Sequence, residues 1–122
     1  MIRYSRSIKV PLYACKFIYT ITSDVPAEIN NIRKKHPGVA PIEGPVEGVM
    51  IAPDEDITVY YLVLDLKYLS YNTIGHEIYH LIRAFSKHRD TNNDEESCAW
   101  LAGFVHESFI KFVFSKKLKI KS

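Results

Sequence analysis

Cysteine is scarce in this 122-residue sequence, which contains only Cys15 and Cys98. Two cysteines cannot form the disulfide framework of a small secreted domain, and both lie in apolar surroundings, so we expect free thiols in a reducing compartment. Long apolar runs are also missing. The run over residues 98–105 is too short to cross a bilayer, and the N-terminal stretch lacks a convincing signal-peptide cleavage site. We therefore expect a cytoplasmic protein without membrane association.

A large excess of charge of one sign is absent as well. The sequence has 16 basic and 14 acidic residues, for a formal net charge of +2. A dedicated nucleic-acid binder usually carries basic residues that dominate one face, so the composition gives no strong nucleic-acid signal. The length and the 47% hydrophobic content suit one domain with a substantial core. We therefore treat residues 1–122 as a single domain.

The hydrophobic pattern predicts three strands and a short first helix. Residues 10–22 are rich in β-formers and are predicted to form one strand, and a short helix capped by Ser23 or Asp24 follows. Residues 48–52 and 57–66 are predicted to form a hairpin. The second of these strands is apolar on both sides and should be buried, whereas the first carries a glycine and ends at a proline, as edge strands often do.

Two longer helices are predicted to complete the domain, over residues 71–87 and 94–116. Each carries apolar side chains at helical spacing, which indicates a face turned toward a core. Together the elements predict an α+β fold: a small, twisted, mostly antiparallel sheet packed against two long helices. The edge strand of the hairpin precedes the first of these helices.

The most informative motif is HExxH, formed by residues 76–80. Residues four apart lie on one face of a helix, so His76 and His80 can bind a single ion. Imidazole nitrogens are common ligands of Zn²⁺. Glu77 lies about 100° further round the helix, where it can act as general base on a metal-bound water. Both histidines fall outside the apolar stripe, which favours a role other than core packing.

A zinc site needs a third protein ligand, and one pattern for it is excluded. The longer motif HExxHxxGxxH requires glycine and histidine where this sequence has Arg83 and Ser86. His88 is eight residues beyond His80, which places it about 12 Å further along a continuous helix. It could reach the same ion only if the helix broke just after His80, and the apolar pattern over residues 81–85 argues against such a break.

The best candidate for the third ligand is Glu96, near the start of the next helix. Ala99 and Gly103 share its helix face and would allow close packing against the motif helix. Glu95 is the alternative, because the predicted start of a helix is uncertain by a residue.

With these residues the sequence resembles the gluzincins, zinc peptidases that have HExxH on one helix and a glutamate ligand on the next. Residues 94–104 also resemble the second half of small phage and prokaryotic HExxH proteins, in which a glutamate precedes an Ala-aromatic-Leu-x-Gly-aromatic stretch. That register matches Glu96. The resemblance covers residues 76–104 closely and implies a zincin-like fold.

The resemblance implies a zinc metallopeptidase that acts on a peptide or protein substrate. Zn²⁺ would be bound by His76, His80 and Glu96, and Glu77 would be the general base. In thermolysin-like enzymes the edge strand before the motif helix binds substrate backbone by β-addition. The matching substrate-binding positions here are Gly48, Val49, Met50, Ile51 and Ala52. The second lobe of the larger enzymes has no counterpart, and the candidate oxyanion donors are Tyr71, Tyr79 and His106.

Three other interpretations remain open at this point. The first is a non-catalytic zinc domain, in which the metal closes a small fold or serves a regulatory role. The second is a DNA-associated metalloprotease of the SprT-like class, although that class uses a third histidine and often a zinc ribbon, and this sequence has no CxxC pair. The third is a helix with two histidines and no metal.

Overall fold

The centre of the fold is a four-stranded mixed sheet. A computed structural model describes residues 1–42, 44–89 and 94–122. Its strands are β1 (Arg3–Lys9), β2 (Lys16–Thr22), β3 (Gly48–Ile51) and β4 (Val59–Asp65). They lie in the order β1-β2-β4-β3, and β2 and β4 are parallel while the two outer pairings are antiparallel. The predicted α+β class is confirmed.

Strand β4 is buried on both faces, as its sequence predicts. Its side chains alternate between two separate cores. Tyr60, Leu62 and Leu64 belong to the larger core, whereas Val59, Tyr61 and Val63 belong to the smaller one. A strand between two helical layers needs apolar residues at every position, and this explains the continuous apolar run.

In the described part of the chain, three α-helices cover the two faces of the sheet. Helix α1 (Val25–Lys35) packs on the smaller core, and Asp24 caps it by accepting a hydrogen bond from the Ala27 N–H at 3.1 Å. Helices α2 (Tyr71–His88) and α3 (Glu95–Ser115) pack on the larger core, within two residues of their predicted bounds. Among the described residues, no helix is both long and apolar enough to cross a membrane.

The first 22 residues differ from the prediction. The predicted strand over 10–22 begins only at Lys16, because residues 10–15 form the turn of a hairpin between β1 and β2. Leu12 lies in this turn with φ of 74° and is largely exposed. Strand β1 was not predicted. Its many basic and polar residues do not resemble a buried strand. They are compatible with its position at the outer edge of the sheet, where one side of the backbone is exposed to solvent.

Strand β3 forms the opposite edge, as predicted, and pairs only with β4. The Asp65 N–H donates to the Glu47 carbonyl at 2.9 Å, which fixes the phase of the antiparallel ladder. Hydrogen-bonded and non-hydrogen-bonded pairs alternate in such a ladder. The N–H and C=O groups of Val49 and Ile51 therefore also point toward β4. The backbone groups of Gly48 and Met50 therefore point away from β4.

Candidate metal centre

Helix α2 presents its two motif histidines to solvent. Ser70 caps the helix and accepts a hydrogen bond from the Thr73 N–H at 3.0 Å. The inward stripe consists of Ile74, Ile78, Leu81 and Phe85, all buried in the larger core. His76 and His80 lie on the other side of the helix and are exposed. The predicted separation of the histidines from the apolar stripe is confirmed.

The two histidine rings converge on one point. The Nε2 atoms of His76 and His80 are 3.2 Å apart. Two nitrogens bound at about 2.0–2.1 Å in tetrahedral geometry would be about 3.3 Å apart, so the observed separation suits two ligands of one zinc ion. Together with Glu77 they form a group whose ligand atoms all lie within 4.8 Å of one another.

Glu77 is buried beside the exposed pair. Its Oε2 lies 3.8 Å from the His76 Nε2, and its carboxylate accepts a hydrogen bond from the Met50 N–H on the outer edge of β3. Burial raises the pKa of the Glu77 carboxyl, while His76, His80 and the Met50 N–H act in the opposite direction. A buried carboxylate with a fixed orientation is suited to accepting and returning a proton.

The close approach of β3 to α2 depends on Gly48. A Cβ placed there would lie 2.7 Å from the Leu64 Cδ2, 3.2 Å from the Glu77 Cγ and 3.3 Å from the Val63 carbonyl oxygen. The Leu64 methyl group can move aside, but the Val63 backbone cannot. The absence of a side chain at position 48 therefore lets the strand edge lie directly against the candidate general base.

Replacing Gly48 with alanine is expected to destabilise the protein by about 1–3 kcal/mol, because the added methyl group overpacks this contact. Urea unfolding monitored by circular dichroism measures the change. Gly103→Ala is the control: nothing lies within 4 Å of a Cβ at this helical position, so it should be neutral or stabilising by up to about 1 kcal/mol. Equal effects of the two substitutions would contradict the packing argument.

The predicted third ligand is not part of this group. Among the described residues, only His76, Glu77 and His80 come together, and the structure places Glu96 elsewhere. The Glu96 side chain is exposed and lines a groove of about 320 Å³ with Leu12, Tyr13, Ser97 and Trp100. Glu95 is exposed and lies outside the group too.

The rotation of α3 about its axis explains the position of Glu96. The Cys98 Sγ lies 3.2 Å from the Ser86 Oγ of α2, so the Cys98 side of α3 faces the motif helix. Residues two apart on a helix point in directions that differ by about 160°, so Glu96 points away from α2. The prediction relied on the spacing of small residues along the helix, which does not fix this rotation.

The remaining histidines and tyrosines lie outside the group. Helix α2 continues unbroken past His80 to His88, whose Nδ1 is 2.7 Å from the Tyr60 hydroxyl, so the break that His88 would need is not present. His106 Nδ1 donates to the Ala102 carbonyl oxygen at 2.7 Å, within its own helix. Tyr71 and Tyr79 are exposed on α2, and Tyr79 lies beside His80 with their ring centroids 6.1 Å apart.

Comparisons with models of protein families, with curated proteins and with solved structures find no match to this chain. The resemblance to gluzincins therefore stays a prediction from the motif. Any functional inference depends on the geometry of the site.

Two grooves follow the outer edge of β3. The first, of about 300 Å³, adjoins the histidine pair and is lined by Val46, Glu47, Gly48, Asn72, Thr73, His76 and Glu77. The second, of about 480 Å³, lies between residues 38–42 and residues 49–55. All five predicted substrate-binding residues, Gly48, Val49, Met50, Ile51 and Ala52, line one groove or the other.

Sequence reasoning missed the opposite wall of the second groove. Residues 38–42 form it, and two hydrogen bonds hold this loop: Arg33 Nε donates to the Val39 carbonyl oxygen at 2.9 Å, and the Val39 N–H donates to the His36 carbonyl oxygen at 3.0 Å. No local pattern predicts that this loop lies opposite β3, because the contact depends on how α1 packs on the sheet.

Proposed function

We propose that this protein is a zinc-dependent metallopeptidase in which His76 and His80 hold the ion and Glu77 is the general base. The observation that supports the proposal most strongly is the 3.2 Å separation of the two Nε2 atoms beside the buried Glu77. A bound zinc ion lowers the pKa of its water toward neutrality and polarises a carbonyl group. Two imidazoles are ligands that Zn²⁺ commonly uses in hydrolases, and the Glu77 carboxylate beside them is left to act as the base.

The surroundings of Glu77 support its role as proton acceptor. The Met50 N–H donates to its carboxylate, and Gly48 allows the strand to lie against its side chain. In peptide hydrolysis this carboxylate would take a proton from the attacking water and deliver it to the leaving amine. Because Glu77 is buried, the carboxylate has few alternative positions, so little ordering is required when the substrate binds.

A peptide substrate suits the edge of β3. The backbone groups of Gly48 point away from β4, and an extended peptide can add to such an edge by main-chain hydrogen bonds. The Met50 N–H is an exception, since it is already bonded to Glu77. The loop over residues 38–42 faces β3 across the second groove and would form the other wall for such a peptide.

The exposure of the histidine pair argues against a purely structural zinc. Structural zinc sites have four protein ligands that enclose the ion, whereas catalytic sites leave one position open. The His76 side chain is 65% exposed, and among the described residues only the Glu77 carboxylate joins the pair in a group of possible ligand atoms within 4.8 Å of one another. This arrangement leaves room for water and substrate, as a catalytic site requires.

The third ligand comes from outside the His76–Glu77–His80 group. We propose Glu96 on the strength of the sequence, with Glu95 as the alternative. Either choice requires the first turn of α3 to approach the His76–His80 pair more closely than it does in this structure. Metal analysis can identify the ligand even before a substrate is found.

Elemental analysis of the purified protein tests the metal site. We expect about one zinc ion per chain in the wild type. His76→Ala and His80→Ala should lose most of it, because the two protein ligands that remain in each variant bind zinc too weakly to keep it through purification. Glu96→Ala and Glu95→Ala identify the third ligand. His106→Ala is the matched control, because His106 is an exposed helical histidine outside the group.

Two outcomes would contradict the zinc site. One is the absence of zinc from wild-type protein even after reconstitution with zinc salts. The other is a loss of zinc in His106→Ala as large as that in His76→Ala, which would show non-specific binding. If zinc is retained in both glutamate variants, neither Glu95 nor Glu96 is the third ligand.

A further inference from the structure

The groove beside the histidine pair has an acidic character. Seven residues line it, and they include the carboxylates of Glu47 and Glu77 but no lysine or arginine. Among the described residues, Glu47 forms no ion pair, although it is exposed and close to the candidate site. A carboxylate without a cationic partner in a substrate groove can bind a cation that the substrate brings.

Glu47 is held in place by a chain of hydrogen bonds. The Ser70 hydroxyl donates to the Thr73 Oγ1 at 2.9 Å, and the Thr73 hydroxyl donates to the Glu47 Oε2 at 3.3 Å. Thr73 itself is buried. The backbone of Glu47 is fixed as well, because its carbonyl oxygen accepts from the Asp65 N–H. The carboxylate therefore has a defined position on the groove wall rather than a free surface one.

The position of Glu47 also relates it to the reacting bond. It directly precedes Gly48, whose missing Cβ would contact the Glu77 side chain, and its partner Thr73 lies one helical turn before Glu77. Since an extended chain advances about 3.3 Å per residue, a peptide along this edge would place a residue next to its scissile bond beside Glu47.

We propose that Glu47 determines substrate specificity by binding a cationic group next to the scissile bond. This inference rests on the proposed peptidase function and names the class of substrate. The cation is an ammonium or guanidinium group, supplied either by a lysine or arginine side chain or by a free peptide amino terminus. In this role Glu47 selects among peptides and takes no part in the chemical step.

The test measures how fast the zinc-loaded full chain cleaves matched synthetic peptides. Cleavage sites in a mixed peptide library are first mapped by mass spectrometry, and peptides are then made with Lys, Arg, Gln or Glu next to the cleaved bond, each with a free and an acetylated amino terminus. We expect the Lys or Arg peptide, or the peptide with a free amine, to be cleaved on the order of tenfold faster in kcat/KM than its neutral counterpart.

Glu47→Gln should remove this preference while preserving the hydrogen bond from Thr73, because the amide oxygen can still accept it. Glu107→Gln, which removes an exposed carboxylate on α3, should keep the preference. Raising the salt concentration should weaken the preference, since both charges are accessible to solvent. Titration calorimetry of the Lys and Gln peptides against the inactive Glu77→Gln variant measures the same selectivity without turnover.

The outcomes separate this inference from the proposed function. Equal cleavage and equal binding of charged and neutral peptides, or an unchanged preference in Glu47→Gln, would overturn the role of Glu47 and leave the peptidase proposal intact. A zinc-loaded chain that cleaves no library peptide would overturn the peptidase proposal. If the free-amine peptides are preferred over the acetylated ones whatever the side chain, the cation is the terminal amine. If the Lys or Arg peptide is preferred over the Gln peptide and acetylation has no effect, the cation is a side chain.

Discussion

Replacing Glu77 with glutamine is expected to lower kcat/KM for peptide cleavage by about 10³-fold, which is within the usual contribution of a general base. The amide cannot accept a proton from water, whereas the two histidines that hold the ion are unchanged. Zinc content should therefore stay at the wild-type level. The assay is cleavage of a peptide library, quantified by mass spectrometry, with zinc measured on the same preparations.

The Glu77→Gln variant should fold, because glutamine has nearly the same shape and its amide oxygen can accept the Met50 N–H. Burial raises the pKa of the Glu77 carboxyl, so at neutral pH, above its usual pKa, the ionised group costs folding stability in the metal-free protein. The neutral amide carries no such cost, and we expect the metal-free variant to be at least as stable as the wild type.

Glu107→Gln is the matched control for activity. It makes the same chemical change, but at an exposed glutamate that pairs with Lys111 on α3 and lies outside the grooves. Full activity in Glu77→Gln with zinc bound would refute the general-base role and favour a non-catalytic zinc domain. A loss of activity in Glu107→Gln as large as that in Glu77→Gln would show that the loss reflects damaged or misfolded protein rather than removal of the base.

Local patterns in the sequence predicted the parts of the fold that carry the candidate site. Helix α2, its solvent-facing histidines and the hairpin of β3 with β4 were all predicted, because helical periodicity and edge-strand features are encoded within about 20 neighbouring residues. Asp24 was likewise predicted as a possible cap of α1. These features require no knowledge of how distant segments pack.

Features that depend on distant contacts were predicted poorly. The parallel pairing of β2 with β4 joins segments separated by α1 and β3, and nothing within either strand indicates its direction. Strand β1 has too few apolar residues to be recognised without its partner β2. The rotation that turns Glu96 away from the histidines depends on the packing of Cys98 against Ser86. Its third-ligand role therefore remains a prediction.

The packing of α3 leads to the largest expected effect on stability. Phe109 is completely buried, and its ring centroid lies 5.1 Å from that of Tyr19 and 6.0 Å from that of Phe112. The neighbouring Ser108 Oγ lies 2.7 Å from the Tyr19 hydroxyl, so this part of α3 is tied to the middle of β2. The rigid surroundings limit how far the core can collapse around a removed ring.

Replacing Phe109 with alanine is therefore expected to lower the free energy of unfolding by about 3–5 kcal/mol. This is a large part of the roughly 5–15 kcal/mol by which domains of this size are usually stable. Phe114→Ala is the control on the same helix, because Phe114 is 58% exposed and should contribute within about 0.5 kcal/mol. Urea unfolding followed by circular dichroism measures both.

The same pair of variants tests whether the metal site depends on α3. His76 and His80 lie on the solvent side of α2, so a cavity at Phe109 should weaken the fold without changing zinc affinity per folded molecule. If zinc affinity falls only in proportion to the folded fraction, α2 and its neighbours position the histidines independently of this part of α3. A larger fall would show that the cavity at Phe109 also disturbs the positions of the ligands.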